Sequence, residues 1–166
     1  MLRSALITAA ALTVLAGCGK KDEPVMPKDS ATGATAGQAS ESAGKSAEEI
    51  NKLLASLPAP YNAGDVENGK RKAGLCRSCH SFNKDGPDMT GPNLYGVIGR
   101  KAASRSGYRY SDALKQSGLT LDPATVDRWL ENPRTFVPGN KMTFAGLKEA
   151  QDRIDVIAYL RTQADS

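Results

Sequence analysis

A single histidine among 166 residues removes histidine-based nucleophilic triads and most zinc sites from consideration. The net charge of +4 sits in the C-terminal part, with 16 basic against 12 acidic residues from position 61 onward and 5 against 6 over residues 19–60. With no basic run interleaved with aromatics, nucleic acid is not expected as a partner; acidic docking surfaces suit an excess of this kind.

In chain order, Arg3 followed by an uncharged run from Ser4 to Gly17 is too short to span a bilayer and has the pattern of an export signal over residues 1–17. Leu15-Ala16-Gly17-Cys18 closes it as a bacterial lipobox does, which makes Cys18 the expected lipidation site. An ordinary cleaved signal with a free Cys18 is the alternative. Several acyl chains on one residue would anchor the protein stably, on the periplasmic face of a bacterial membrane.

Residues 19–60 are rich in Ala, Ser, Gly, Lys and Glu and nearly free of aromatics, so the segment 18–60 is expected to be a flexible spacer after the lipidated residue. Within it, Ser46-Ala47-Glu48-Glu49 has the form of a capping box and precedes apolar residues at helical spacing. One short helix is expected there, with its docking surface unreadable from sequence. The folded domain is then expected over 61–166, about 106 residues with a modest core of its own.

Asp65 is positioned to cap a helix running toward Cys76, Ser111 to start a short helix that Gly118 ends, and Asp122-Pro123 to open another that Pro133 stops. From about Lys148 to Thr162, Ile154, Ile157, Ala158 and Arg161 fall on one stripe, which predicts an amphipathic closing helix. No stretch alternates as a strand would, so the predicted fold class is all-α with long loops.

Between the first two of these helices stands Cys76-Arg77-Ser78-Cys79-His80. Two thiols three residues apart share a helix face and can add to the vinyl groups along one edge of a haem, with the next residue's imidazole beneath the iron. Redox dithiols and half zinc sites also use Cys-x-x-Cys. The first expects a βαβ setting, where this motif follows a helical pattern, and the second lacks further ligands. The long aperiodic stretch from Ser81 to Arg109 fits the same picture, because such a loop needs a ligand to organise it.

His80 and a soft side chain from elsewhere would then ligate the metal. Met142, in a loop directed by Pro138 and Gly139, has the reach; Met89 lies only nine residues beyond His80 and would need a tight wrap around the ring. A packing role is the alternative for Met142.

Residues 64–162 resemble a class I cytochrome c of the mitochondrial and bacterial c2 type. The resemblance is carried by Gly64–Lys70, Cys76–His80, Thr90–Gly96, Gly99–Lys101, Leu130–Pro133, the Met142 loop and Ile157–Leu160, in matching order and spacing. It implies a small helical domain wrapped around one covalent haem c. By the same resemblance, Pro92 would accept a hydrogen bond from His80, Arg100 and Tyr110 would stand near a propionate, Trp129 would lie beside Met142, and Phe144 would flank the haem edge. Gly69 and the Tyr159 region would form the crossing of first and last helices.

The sequence departs from the family at Leu121, Leu114 and Asn140, where tryptophan, asparagine and threonine are usual, and at Leu75 and Met89, where lysines are frequent. Arg71, Arg134, Lys141 and Lys148 would keep a basic ring for redox partner proteins. The function implied is that of a monomeric, membrane-tethered carrier of single electrons from a quinol-oxidising complex to a terminal oxidase, not an enzyme. A haem-based ligand sensor, a peroxidase-like enzyme and a fixed electron-transfer subunit of one complex are the alternatives; the first two would require displacement of Met142.

Overall fold

Ser46 opens the first helix in the computed structural model, which describes residues 44–165. Its hydroxyl accepts from the Glu49 N–H at 3.2 Å while the Glu49 carboxylate accepts from the Ser46 N–H at 2.8 Å, closing the capping box that the sequence predicts. This helix, α1 (Ala47–Ala55), packs on the closing helix through Leu53, which is fully buried, and Leu57 follows it into the core. Arg161 on the closing helix donates to Ser56 at 3.0 Å. The expected boundary between spacer and domain at residues 60 and 61 is therefore corrected: the folded unit includes the chain from Ser46. Composition misplaced it because one buried leucine in the helix, Leu53, and another just beyond it, Leu57, are enough to dock the segment although much of it is polar. The predicted signal over 1–17, Cys18 and the spacer up to residue 43 lie outside the described residues.

After a single 3₁₀ turn (Tyr61–Ala63) come α2 (Val66–Lys72), capped by Asp65, and a second 3₁₀ turn (Ala73–Cys76). Beyond a long loop lie α3 (Asp112–Gln116), α4 (Pro123–Glu131), the single-turn α5 (Pro133–Phe136) and α6 (Ala150–Thr162). Ser111, Asp122 and Asn132 cap α3, α4 and α5 through their side chains, as short polar residues do when they satisfy free N–H groups at a helix start. Among the described residues there is no strand; an isolated antiparallel bridge joins Lys101 to Thr120. The described residues form an all-α fold, as the sequence predicts.

The α2–α6 crossing organises the core. A Cβ at Gly69 would stand 1.9 Å from the Asp155 carbonyl oxygen and 2.9 Å from the Tyr159 Cβ, so only glycine lets the two backbones approach this closely. Asp155 locks the crossing: its buried carboxylate accepts from the Asp65 N–H at 2.9 Å, Asn68 at 2.7 Å and Gln151 at 2.8 Å. Burial pushes this carboxyl up, but those hydrogen bonds and the Arg71 charge outweigh it and hold it below the usual carboxylate range.

α6 differs from the predicted amphipathic stripe. Arg153 and Asp155 through Leu160 are all buried, while Ile154 and Arg161 are only half-buried. The helix is enclosed because α1, α2 and α4 cover different faces of it. Arg153 is accommodated by a 2.6 Å bond to Asp127 and by the carbonyls of Leu147 at 3.0 Å and Lys148 at 2.8 Å. Tyr61 donates to the other Asp127 oxygen at 3.3 Å, tying the first turn into the same network. A buried guanidinium is tolerated only when its donors are satisfied in this way.

Candidate functional site: one cavity between the Cys76–His80 turn and the Met142 loop

A cavity of about 370 Å³ opens against this core, lined mostly by apolar side chains that include Leu94, Val97, Leu114, Leu121 and Leu130. Cys76, Cys79 and His80 line it, as do Pro92, Arg100, Tyr110, Trp129, Met142 and Phe144, so the nine residues singled out from sequence come together in one place.

The thiols are presented differently from expectation. α2 ends at Lys72, and the motif is carried by the 3₁₀ turn and by two further bonds, Cys79 N–H to Cys76 O at 3.1 Å and His80 N–H to Cys76 O at 2.9 Å. This winding still places both cysteines, which are free and half-buried, on the cavity wall. Burial pushes the Cys76 thiol up, reinforced by Cys79 and opposed by Arg77.

His80 is fixed by its own neighbourhood in the chain. Its Nδ1 lies 2.7 Å from the Pro92 carbonyl oxygen, which can only accept, so Nδ1 carries the proton and Nε2 keeps a free lone pair. Burial lowers the tendency of the ring to protonate, while the Pro92 bond works the other way, leaving a neutral imidazole at physiological pH. Such a nitrogen is a metal ligand with its second bond already set. Gly91 seals the arrangement, because a Cβ there would stand 2.2 Å from His80 Cε1 and 2.6 Å from Nδ1.

Met142 arrives from a separate loop. Its Sδ accepts from Trp129 Nε1 at 3.3 Å, and its N–H donates to Asn140 Oδ1 at 2.8 Å. Asn140 Nδ2 donates in turn to the carbonyls of Pro133 at 2.7 Å and Val137 at 2.8 Å.

The polar remainder of the lining bears on what the cavity accepts. Arg100 is half-buried, donates to the Tyr95 and Asn93 carbonyls at 3.1 Å each, and makes no ion pair with a carboxylate among the described residues. Burial makes its positive charge harder to hold. A desolvated cation facing an apolar cavity calls for an anionic group on the occupant. Two thiols, a neutral imidazole, a thioether, an apolar wall and this cation fit haem c, with its vinyl groups, iron, flat macrocycle and propionates.

Several contributors were not singled out from sequence. Gly91 is one. Tyr108 donates to the Thr90 carbonyl and stacks edge-on against Tyr110, with centroids 4.7 Å apart. Arg105 pairs with Asp88, whose carboxylate also accepts from the Asn93 N–H at 2.8 Å, so separate parts of the long loop before α3 are clasped together. These are contacts within a loop that has no periodicity, and only the spacing of aromatic and charged residues hinted at them. Of the cations expected around the cavity, Lys141 alone lines it; Arg71, Arg134 and Lys148 are exposed elsewhere, with Lys148 bonded to the Glu131 carbonyl at 2.9 Å. Lys101 and Arg109, both exposed, join Lys141 in the lining. Met89, the rejected rival of Met142, is largely exposed and outside it.

Comparison with known proteins agrees with this geometry. The family model described as Cytochrome c matches residues 66–164. Cytochrome c2 of Rhodomicrobium vannielii is 52% identical over 103 residues, covering 62% of this chain and 82% of its own. A cytochrome c homolog of Bradyrhizobium diazoefficiens is 39% identical over 124 residues, 74% of this chain and 64% of its own. The solved structure of cytochrome cH from Methylobacterium extorquens superimposes with a TM-score of 0.56 at 45% identity, covering 60% of this chain and 99% of that one. The chain belongs to the cytochrome c family, whose members bind a covalent haem c and act as electron carriers.

Proposed function

We propose that the protein carries single electrons between membrane complexes on the periplasmic side of a bacterial membrane, with haem c bonded through Cys76 and Cys79 and ligated by His80 and Met142. The observation that carries this reading is the convergence of a proton-fixed imidazole, a hydrogen-bonded thioether and two free thiols on one apolar cavity. When bound, the haem supplies a one-electron Fe(III)/Fe(II) couple, which a thioether ligand biases toward high potential. The chain's own part is to hold the two ligand atoms, to exclude water with the leucine and valine wall, and to offer Arg100 and Tyr110 to the propionates. Pro92 fixes the imidazole and Phe144 covers the haem edge.

Partner proteins would dock where this cavity opens. Lys101, Arg109 and Lys141 stand at its lining and suit acidic partners; Arg71, Arg134 and Lys148 would extend the basic field. Electrons would pass from a quinol-oxidising complex to a terminal oxidase, with Cys18 as the lipidated anchor and the Ala/Ser/Gly-rich segment after it as the tether. No helix among the described residues is long and apolar enough to cross a membrane.

Absorption spectra of the oxidised and reduced holoprotein, with and without CO, test the ligation. A low-spin spectrum with the sulphur-to-iron charge-transfer band and no CO shift is expected. A high-spin spectrum or rapid CO binding would overturn the carrier reading in favour of a ligand sensor or peroxidase-like enzyme. For the anchor, Cys18→Ser should move the protein from the membrane fraction to the soluble periplasm; an unchanged distribution would refute lipidation at that residue.

A further inference from the structure

Residues 46–63, which precede the stretch that matches the family, form a strap along α6. Its contacts descend that helix from the C-terminal end. Lys45, just ahead of the strap, stands near Asp165, whose carboxyl is held below its usual range first by bonds to Tyr95 and Lys84 and then by the Lys45 charge. Ser56 accepts from Arg161 at 3.0 Å, and Tyr61 donates to Asp127, the carboxylate that pairs with Arg153 near the start of α6. Leu53, Leu57 and Tyr61 are all buried, so apolar anchors recur along the whole segment. None of residues 44–63 lines the cavity, although Val156 and Leu160 of α6 do. Neighbouring residues lie about 100° apart around a helix, so Arg161 holds the strap to a different face of α6 from the one that meets the cavity.

We propose that this strap sets where the membrane tether leaves the haem domain: the free tether ends at residue 45, beside the C-terminal end of α6, so that anchoring leaves the cavity open to partners. The inference rests on the proposed anchoring at Cys18. Composition alone would run the tether on to residue 60. Docking 46–60 onto α6 shortens the free chain and cuts its r.m.s. reach from about 36 Å to about 29 Å, a loss of about one fifth. It also fixes the point of departure, which a free segment would not.

The test uses lipidated holoprotein reconstituted in phospholipid vesicles. Trypsin reads the docking, because Lys45 precedes α1 while Lys52 lies inside it, followed by the buried Leu53. The haem fragment released from the wild type is expected to begin at Ser46, and that from Leu53→Ser at position 53. A wild-type fragment beginning at Leu53 overturns the docking. A dye on the lipid headgroups, quenched by the haem, reads the reach. Leu53→Ser should lower the quenching, as the reach grows by about a quarter, and deleting residues 25–39 from the same chain should return it to the wild-type level. A merely structural role for Leu53 predicts no rescue by shortening, so unchanged quenching or absent rescue overturns the strap's part in the tether. Asn51→Pro, at an exposed position of α1, replaces Leu53→Ser if that variant does not fold. Holoprotein that stays off the vesicles overturns the anchoring and with it the tether role, while the trypsin fragment in solution still reports whether the strap is docked.

Discussion

The two ligand-bearing sides of the cavity are built by different means. His80 is held by main chain: the Pro92 carbonyl at 2.7 Å fixes its tautomer, and the absent side chain of Gly91 fixes its plane, all within twelve residues of sequence. Met142 is held by side chains, the indole of Trp129 on α4 and the carboxamide of Asn140 two residues earlier in its own loop. Main-chain support leaves few substitutions that retain function, whereas side-chain support can be adjusted one group at a time. The His80 side is therefore the rigid half of the site, and the Met142 side is the half that single side chains support.

Breaking the rigid side should produce the largest effect. Gly91→Ala places a methyl group inside the imidazole ring and is expected to cost about 3 kcal/mol or more and to prevent normal haem incorporation. The check is covalent haem content per polypeptide, which should fall sharply; wild-type loading would show that the ring can move. Asn140→Ala strands the Met142 N–H and leaves the Pro133 and Val137 carbonyls with only their backbone donors, with an expected cost of about 2 kcal/mol in denaturant unfolding of the holoprotein and normal covalent haem content. A loading defect as severe as that of Gly91→Ala would erase the distinction between the two sides.

Acid should also act on the helix crossing behind the two sides. The Asp155 carboxyl is held below its ordinary range, so its contribution is fully present above the unfolded-state value and is lost as pH falls through the lower folded-state value. Asp155→Asn should be less stable than the wild type near neutrality, with the gap narrowing as pH drops below the usual carboxylate range. A gap that stays constant with pH would show that the charge is not what matters there. The smallest effect is expected outside both sides, at the cap of α1: Ser46→Ala should lower the Tm by about 4 °C and leave the haem spectrum unchanged.

Much of this site was legible because its chemistry is local. The Cys76–His80 run and the turn residues around Met142 announce themselves by type and spacing, Pro92 was implied by the family resemblance, and the capping residues Ser46, Asp65, Ser111 and Asp122 stand where the helices begin. The edge of the folded unit was less so, since composition made the segment before residue 61 resemble a spacer although Leu53 and Leu57 bury there. Which cations line the cavity itself was not legible: Lys101 and Arg109 reach it on loops with no period to read, while Arg71, Arg134 and Lys148 stand outside its lining.

The sequence by itself determined the covalent attachment motif, the imidazole that follows it and the helical class of the fold, because each depends on residue type at short separation, whereas the glycine at the α2–α6 crossing was implied by the family resemblance. Only the tertiary structure decided that α6 is enclosed on nearly every side, that Arg153 finds its partners in Asp127 and two carbonyls, and that the indole of Trp129 meets the sulphur of Met142. Those outcomes depend on how separate segments converge in space. A linear pattern does not carry that information, because burial and hydrogen-bond partnership belong to pairs of residues rather than to positions.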